Sequence, residues 1–438
     1  MKKIYYLFAI VFSFLLVYYP PVISINMLHI VGAISWVYIF LNMFKIYRYF
    51  NMEIIAILYI LIFSLMVYLS IVAIANGNSV STANKSLLYW AIDIIPASVV
   101  IADLLNRKIN TKSSQDVIDK FFTIIMIIGV IQAVLSIIAF LNPNFQAWFI
   151  SQMVNYGYEE ARFTALAAYR WYGVSSNLGM TTSVVQAFIA VIMIFLAIES
   201  KLSYIFAAFI LFFSSFINSR NSFVVLAIGI LLIILMNLNT NKISVNKILK
   251  VLFIFLIIGT FATFLMYILA ILSPRTYEWL INGITEFIQL IFGSYSTDSS
   301  YDYVDYITNS NVYTMPPKIS GILFGTGQYA NGSNSLLFAT DVGYVNDIWL
   351  GGLVYVTFLY SLFLSAIIKL IKYFNNKRNK KYLFITLFFL SQFLIQNVKG
   401  FIFSTNDFST LFILFFVITF MKERNSDATK ENAVFLTY

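Results

Sequence analysis

The sequence predicts an all-α, polytopic integral membrane protein with about twelve transmembrane helices and a large outer-face loop before the tenth. Three observations predict it. Of 438 residues 60% are hydrophobic and 11% charged, with a mean hydropathy of +0.84, far more apolar than a water-soluble core of this size requires. The apolar residues fall into runs of roughly 20, the length that crosses a bilayer. The 28 lysines and arginines punctuate those runs instead of sharing one surface, so the net charge of +9 reads as membrane topology and not as a nucleic-acid footprint. The absence of cysteine excludes disulfide frameworks and thiolate metal sites.

Met1-Lys2-Lys3 and the apolar run to Val17 imitate a secretory signal. Tyr18, Tyr19, Pro20 and Pro21 stand where small cleavage-site residues belong, which makes residues 4–19 an uncleaved first helix. The remaining predicted spans are 22–44, 54–75, 87–105, 121–141, 178–198, 203–218, 222–238, 251–272, 348–371, 382–398 and 402–421. With Lys2 and Lys3 in the cytoplasm, strict alternation leaves 45–53, 106–120, 199–202, 239–250, 372–381 and the tail from Lys422 inside. The outer segments are then 76–86, 142–177, the corner 218–222, the long loop 273–347 and the corner near Lys399. Counted with helix ends, 21 basic residues fall inside and 7 outside, as the positive-inside rule demands, with both termini cytoplasmic. Tyr18, Tyr19, Trp148, Trp171, Tyr172 and Trp279 fall near outer boundaries, where interfacial aromatics belong. No internal repeat of the transporter kind is evident.

Lysine and arginine are distributed differently. Only Lys85, Lys318 and Lys399 of 20 lysines lie outside, against four of eight arginines: Arg162, Arg170, Arg220 and Arg275. Guanidinium matches phosphate oxygens bidentately and stays charged when partly dehydrated. Snorkelling to head groups, or pairing with Glu159, Glu160 and Glu278, is the plainer alternative for any one of them. On a helix Arg162 and Arg170 would be about 12 Å apart along the axis and within a quarter turn. Arg220 sits in the polar knot Asn218-Ser219-Arg220-Asn221-Ser222, a corner at head-group depth.

The long loop carries Asp298, Asp302 and Asp305 among Tyr295, Tyr301, Tyr303 and Tyr306. Such carboxylates suit a hard divalent metal. Without a histidine or a glycine-punctuated ligand loop they read better as a solvated acidic surface, with tyrosines that stack on sugar rings, and no metal or cofactor is predicted. Asp341 and Asp347, just before the tenth span, are better placed for catalysis. Gly321-Ile-Leu-Phe-Gly325-Thr-Gly327 lacks the Lys-Ser/Thr ending of a phosphate-binding loop and is a turn signal. Asp93, inside the fourth span, costs about 2.5–3.5 kcal/mol if ionised and should be paired, protonated or facing a cavity. His29, in the second span, is expected to make a helix–helix hydrogen bond.

Phe324-Gly325-Thr-Gly327, then Thr340-Asp341-Val-Gly343-Tyr344 and Gly351-Gly352, together with Asn218-Ser219-Arg220 and the arginine-x10-glycine spacing from Arg162 to Gly173, resemble the Wzy O-antigen polymerase family. No second such spacing begins at Arg275, since Glu286 stands at the glycine position. The resemblance implies a bacterial inner-membrane glycosyltransferase active on the outer face. It would move a growing glycan from undecaprenyl diphosphate to the next lipid-linked repeat unit, and a separate chain-length regulator protein is expected as a partner. Membrane lipids and the lipid-linked oligosaccharides are the other partners; nucleic acid is not. Under this reading Arg162, Arg170, Arg220 and Arg275 hold the diphosphate, Arg220 and Asp341 are catalytic, and Tyr301, Tyr303 and Tyr344 meet sugars. The alternatives are an O-antigen ligase, disfavoured by a long outer loop with no histidine, and a lipid-linked oligosaccharide flippase, which predicts charged spans and short outer loops.

Overall fold

The computed structural model describes residues 2–21, 27–109, 114–155, 170–171, 173–176, 180–238, 245–292, 313–330, 342–398, 403 and 407–421. Their regular structure is helical, with one isolated antiparallel bridge between Phe50 and Met421. The helices are α1 (Lys2–Tyr18), α2 (Met27–Leu41), α3 (Met43–Tyr49), α4 (Met52–Ala75), α5 (Val80–Tyr89), α6 (Ile95–Ile109), α7 (Ser114–Leu141), α8 (Pro143–Asn155) and α9 (Met180–Glu199). They continue with α10 (Tyr204–Phe216), α11 (Asn221–Leu238), α12 (Val245–Leu272), α13 (Pro274–Phe292), α14 (Ile319–Phe324), α15 (Gly343–Asn376), α16 (Lys380–Gln396) and α17 (Asp407–Thr419).

A helix falls on each of the twelve predicted apolar runs. Five are long and apolar enough to cross a membrane, namely Met52–Ala75, Val80–Asn106, Gln115–Leu141, Thr181–Glu199 and Gly343–Asn376, and six further apolar helices are shorter. The chain is a helical protein of membrane character. The segments expected as outer loops are not all loop: 142–177 begins with α8, and 273–347 contains α13 and α14. The starts of α8 and α13 share a local cause. Pro143 and Pro274 occupy the first helical position, where a missing N–H costs nothing. Asn142 Oδ1 caps α8 by accepting from the N–H of Asn144 at 3.1 Å.

α9 is the central helix, and phenylalanines dominate the packing around it. Phe188 stacks on Phe388 at 4.6 Å, lies tilted against Phe389 at 4.5 Å and meets Phe408 edge-on at 5.2 Å, while Phe195 stacks on Phe384 at 4.2 Å. In lipid there is no hydrophobic drive between helices, so such contacts, about 0.5–1.5 kcal/mol per pair, and close approach at small residues hold the bundle. Gly229 of α11 is one such residue: a Cβ there would come within 2.4 Å of Val191.

The two ends of the bundle differ. One gathers the segments predicted as outer: Ser176 N donates to Tyr18 O, Asn78 Nδ2 to Thr326 O, Thr182 Oγ1 to Asp407, and Gly343 N to Asn397 O. The other holds the Phe50–Met421 bridge and the Lys381–Asp119 ion pair beside the Lys377–Arg378 turn.

Asp93 and His29 satisfy each other, His29 Nδ1 lying 2.9 Å from Asp93 Oδ2. Asp93 sits in a π-helical turn, Trp90–Ile94, between α5 and α6. A wide turn frees carbonyls, and neighbouring helices supply donors: Trp36 Nε1 to Ile92 O and Tyr59 Oη to Ala91 O, each 2.9 Å. Gly32 admits the carboxylate, since a Cβ there would stand 2.1 Å from Asp93 Oδ1.

Candidate functional site

The Asn218–Ser222 corner is built by its own polar side chains. Asn218 Nδ2 donates to Ser214 O at 2.9 Å, Ser222 Oγ to Ser215 O at 2.9 Å, and Ser219 Oγ accepts from Asn221 N at 3.2 Å. Ser and Asn are suited to this, because their short side chains take up backbone groups left over at helix ends. The corner in turn fixes a neighbouring segment: Asn218 Oδ1 accepts from Trp171 N at 3.1 Å, and Gln146 Nε2 donates to Arg170 O at 2.8 Å. Gly173 (φ +66°) completes the turn, passing so close to α7 that a Cβ would lie 2.7 Å from Gln132 Nε2 and Ser136 Oγ. The glycine of the arginine-x10-glycine spacing thus has a steric reason.

Held this way, Arg170 and Arg220 converge on one side chain. Arg220 Cζ lies 5.0 Å and Arg170 Cζ 5.3 Å from the ring centre of Trp279 on α13. Two residues 50 apart in sequence, on different elements, therefore face the same indole. Arg170 lies in irregular chain, while Arg162, and with it the expected helical spacing, lies outside the described residues. Beneath the pair is an apolar cluster of Phe140, Ile217, Leu269 and Leu280, with Trp171 set edge-on to Phe140 at 5.3 Å. The indole N–H of Trp171 is enclosed and meets no acceptor among the described residues. Arg275 stands exposed one turn before Trp279, on the same side of α13 but outside the pair.

A second group lies at the same end, where α15 begins. Asp347 is 5% exposed. Its Oδ2 accepts from Tyr360 Oη at 2.7 Å, and Asn397 Nδ2 donates to Tyr360 Oη at 2.6 Å. Asn397 O receives Gly343 N at 2.9 Å, which ties the start of α15 to the end of α16. Tyr344 is half-buried with its hydroxyl committed to Leu394 O at 2.5 Å, so only its ring is left to meet a sugar. Nearby, burial pushes the Tyr329 phenol up to about 12, the Ser86 hydroxyl opposing and the Asp347 charge adding to the rise.

The glycine motif docks this region. α15 breaks at Gly352 (φ +68°), and the carbonyls of Trp349 and Leu350, without helical donors, accept from Thr326 N at 2.7 Å and Gly327 N at 2.9 Å. Tyr68 Oη bonds both Phe324 O and Gly351 O at 3.0 Å. Backbone approaches backbone: a Cβ at Gly325 would lie 2.5 Å from Gly351 Cα, and one at Gly327 2.5 Å from Ala73 Cα.

Arg162, Tyr301, Tyr303, Asp341 and the Asp298, Asp302 and Asp305 cluster lie outside the described residues. Among the described residues no group of three or more His, Asp or Glu could hold a metal ion. Trp279, read from sequence only as an interfacial aromatic, is the residue that joins the two arginines. A signal existed in the amphipathic pattern of 274–292, which places Trp279 and Gly283 on one helix face. Neither family models, nor curated proteins, nor solved structures match the chain.

Proposed function

We propose that this chain is a surface-polysaccharide polymerase of the bacterial inner membrane. It spans the bilayer about twelve times, with both termini cytoplasmic, and transfers a growing glycan from undecaprenyl diphosphate to a hydroxyl of the next lipid-linked repeat unit. The observation that carries this reading is the convergence of Arg170 and Arg220 on Trp279 at the end of the bundle assigned to the outer face. Nucleotide sugars are absent on that side, so the donor must arrive already activated on a lipid. The acceptor oxygen bonds to the anomeric carbon, the bond from that carbon to the diphosphate breaks, and the diphosphate leaves with the electron pair. Fixed guanidinium groups stabilise that developing charge. Asp341 takes the acceptor proton or holds the acceptor; Arg162 and Arg275 extend the phosphate grip, and Tyr301, Tyr303 and the Tyr344 ring face sugars.

Arg220→Ala tests it. Polymer should fall by about 100-fold or more, the scale for removing one preorganised oxyanion donor, while the protein still inserts in the membrane. Arg220→Lys should restore part of the activity, because an ammonium keeps the charge and loses the fork. A normal chain-length ladder from Arg220→Ala removes the residue from the site.

A further inference from the structure

Trp279 does something in this structure that an interfacial anchor would not. Both arginine carbons lie within 5.3 Å of its ring centre, and four residues on, Gly283 leaves a notch filled by Arg220. A Cβ on Gly283 would stand 2.4 Å from Arg220 Cδ and 2.7 Å from Nε. α13 therefore presents to the arginines a face one helical turn long, an indole followed by a gap. From this we infer that Trp279 and Gly283 are positioning residues that set the spacing and direction of Arg170 and Arg220 for a diphosphate anion.

The chemistry favours an indole in that place. Two guanidinium ions at close range repel, and a carboxylate between them would cancel the charge and occupy N–H donors that lie in the guanidinium plane. The negative face of an indole attracts each cation and does neither. A ligand then meets two cations at a preset spacing. α13 is also the first element of the long segment that precedes α15, so its seating against the α10–α11 corner couples that segment to the anion site. This inference rests on the diphosphate reading above and adds to it the residues that tune the grip.

The test uses the full-length protein in detergent or nanodiscs, with a lipid diphosphate-linked repeat unit as substrate and inorganic pyrophosphate as competing anion. Trp279→Leu should raise the donor KM and the pyrophosphate inhibition constant by about ten-fold, the size of two lost cation–π contacts. Trp279→Phe, which keeps a ring face, should lie close to the parent. Gly283→Ala, which pushes on Arg220 without removing any contact of the indole, should weaken pyrophosphate inhibition in the same direction, and it decides the matter if Trp279→Leu fails to accumulate as folded protein. Wild-type KM and pyrophosphate inhibition in Trp279→Leu or Gly283→Ala, alongside an inactive Arg220→Ala, overturn the positioning role and leave the diphosphate reading standing. Full activity in Arg220→Ala overturns that reading itself.

Discussion

Replacing Gly325 by alanine tests whether the glycine motif is the clamp that sets the start of α15. Gly325 has φ +84° and ψ −178°, a region open almost only to glycine and costing about 1–3 kcal/mol for any other residue. The new methyl would also sit 2.5 Å from Gly351 Cα. That atom belongs to backbone, so no rotamer change relieves the clash, and the segment must lift off α15. Lifting it gives up the bonds from Thr326 N to Trp349 O and Gly327 N to Leu350 O, and those of Tyr68 Oη to Phe324 O and Gly351 O. At a net value of about 1 kcal/mol each, these four bonds alone amount to about 4 kcal/mol. That is roughly three powers of ten in the ratio of docked to lifted chain. Tryptic cleavage after Lys318, which is exposed at the start of α14, is the assay. Cleavage should accelerate sharply and the polysaccharide ladder should disappear, while pyrophosphate still binds the arginine pair. Cleavage and ladder equal to the parent's would refute the clamp.

Two further outcomes concern carboxylates. Asp347→Asn keeps an oxygen that Tyr360 can bond, so folding and most of the activity should survive, whereas Asp341→Asn should lose about 100-fold or more if Asp341 takes the acceptor proton. The reverse ranking, read by ladder density and initial rate, moves that role to Asp347. Gly32→Ala should force α2 away from the π-turn and strand Asp93 without His29, at a cost of about 3 kcal/mol. Thermal unfolding in detergent should show a clear loss, and an unchanged midpoint would mean that the close approach is dispensable.

The helices on the apolar runs were legible because lipid leaves no alternative. A backbone crossing it must be helical, and only long apolar runs can do so. Boundaries were less legible where polar turns extend a helix beyond the apolar run. The fourth span was read from residue 87, yet α5 begins at Val80 because Ser79 to Lys85 continue the helix above the apolar stretch. Asp93 and His29 were each visible as anomalies, but their pairing depends on a π-turn that rotates Asp93 toward α2, and no periodicity announces that. The same limit applies to the site. Arg170 and Arg220 stood out by charge against the topological trend, while Trp279 looked like any interfacial tryptophan, because what distinguishes it is the company it keeps in three dimensions.

The arginine pair and the Asp347 group lie on separate elements, and the packing of α11 against α16 sets their relative height. A Cβ on Gly229 would lie 3.1 Å from the tip of the Phe388 ring, so these two residues mark one level in the bundle. α16 runs against α9, as the Phe188–Phe388 and Phe195–Phe384 stacks require. α11 runs with α9, since the α10–α11 corner meets the start of α9 where Ser214 Oγ bonds Gln186 Oε1. From the shared level, Arg220 is nine residues back along α11 and Asn397 nine residues forward along α16, each about 13 Å at helical rise. Both groups thus reach the same height at the same end. The proposed reaction, with a diphosphate leaving group and an acceptor hydroxyl at one membrane surface, would use such a common height, and a phenylalanine contact between two helices is enough to set it.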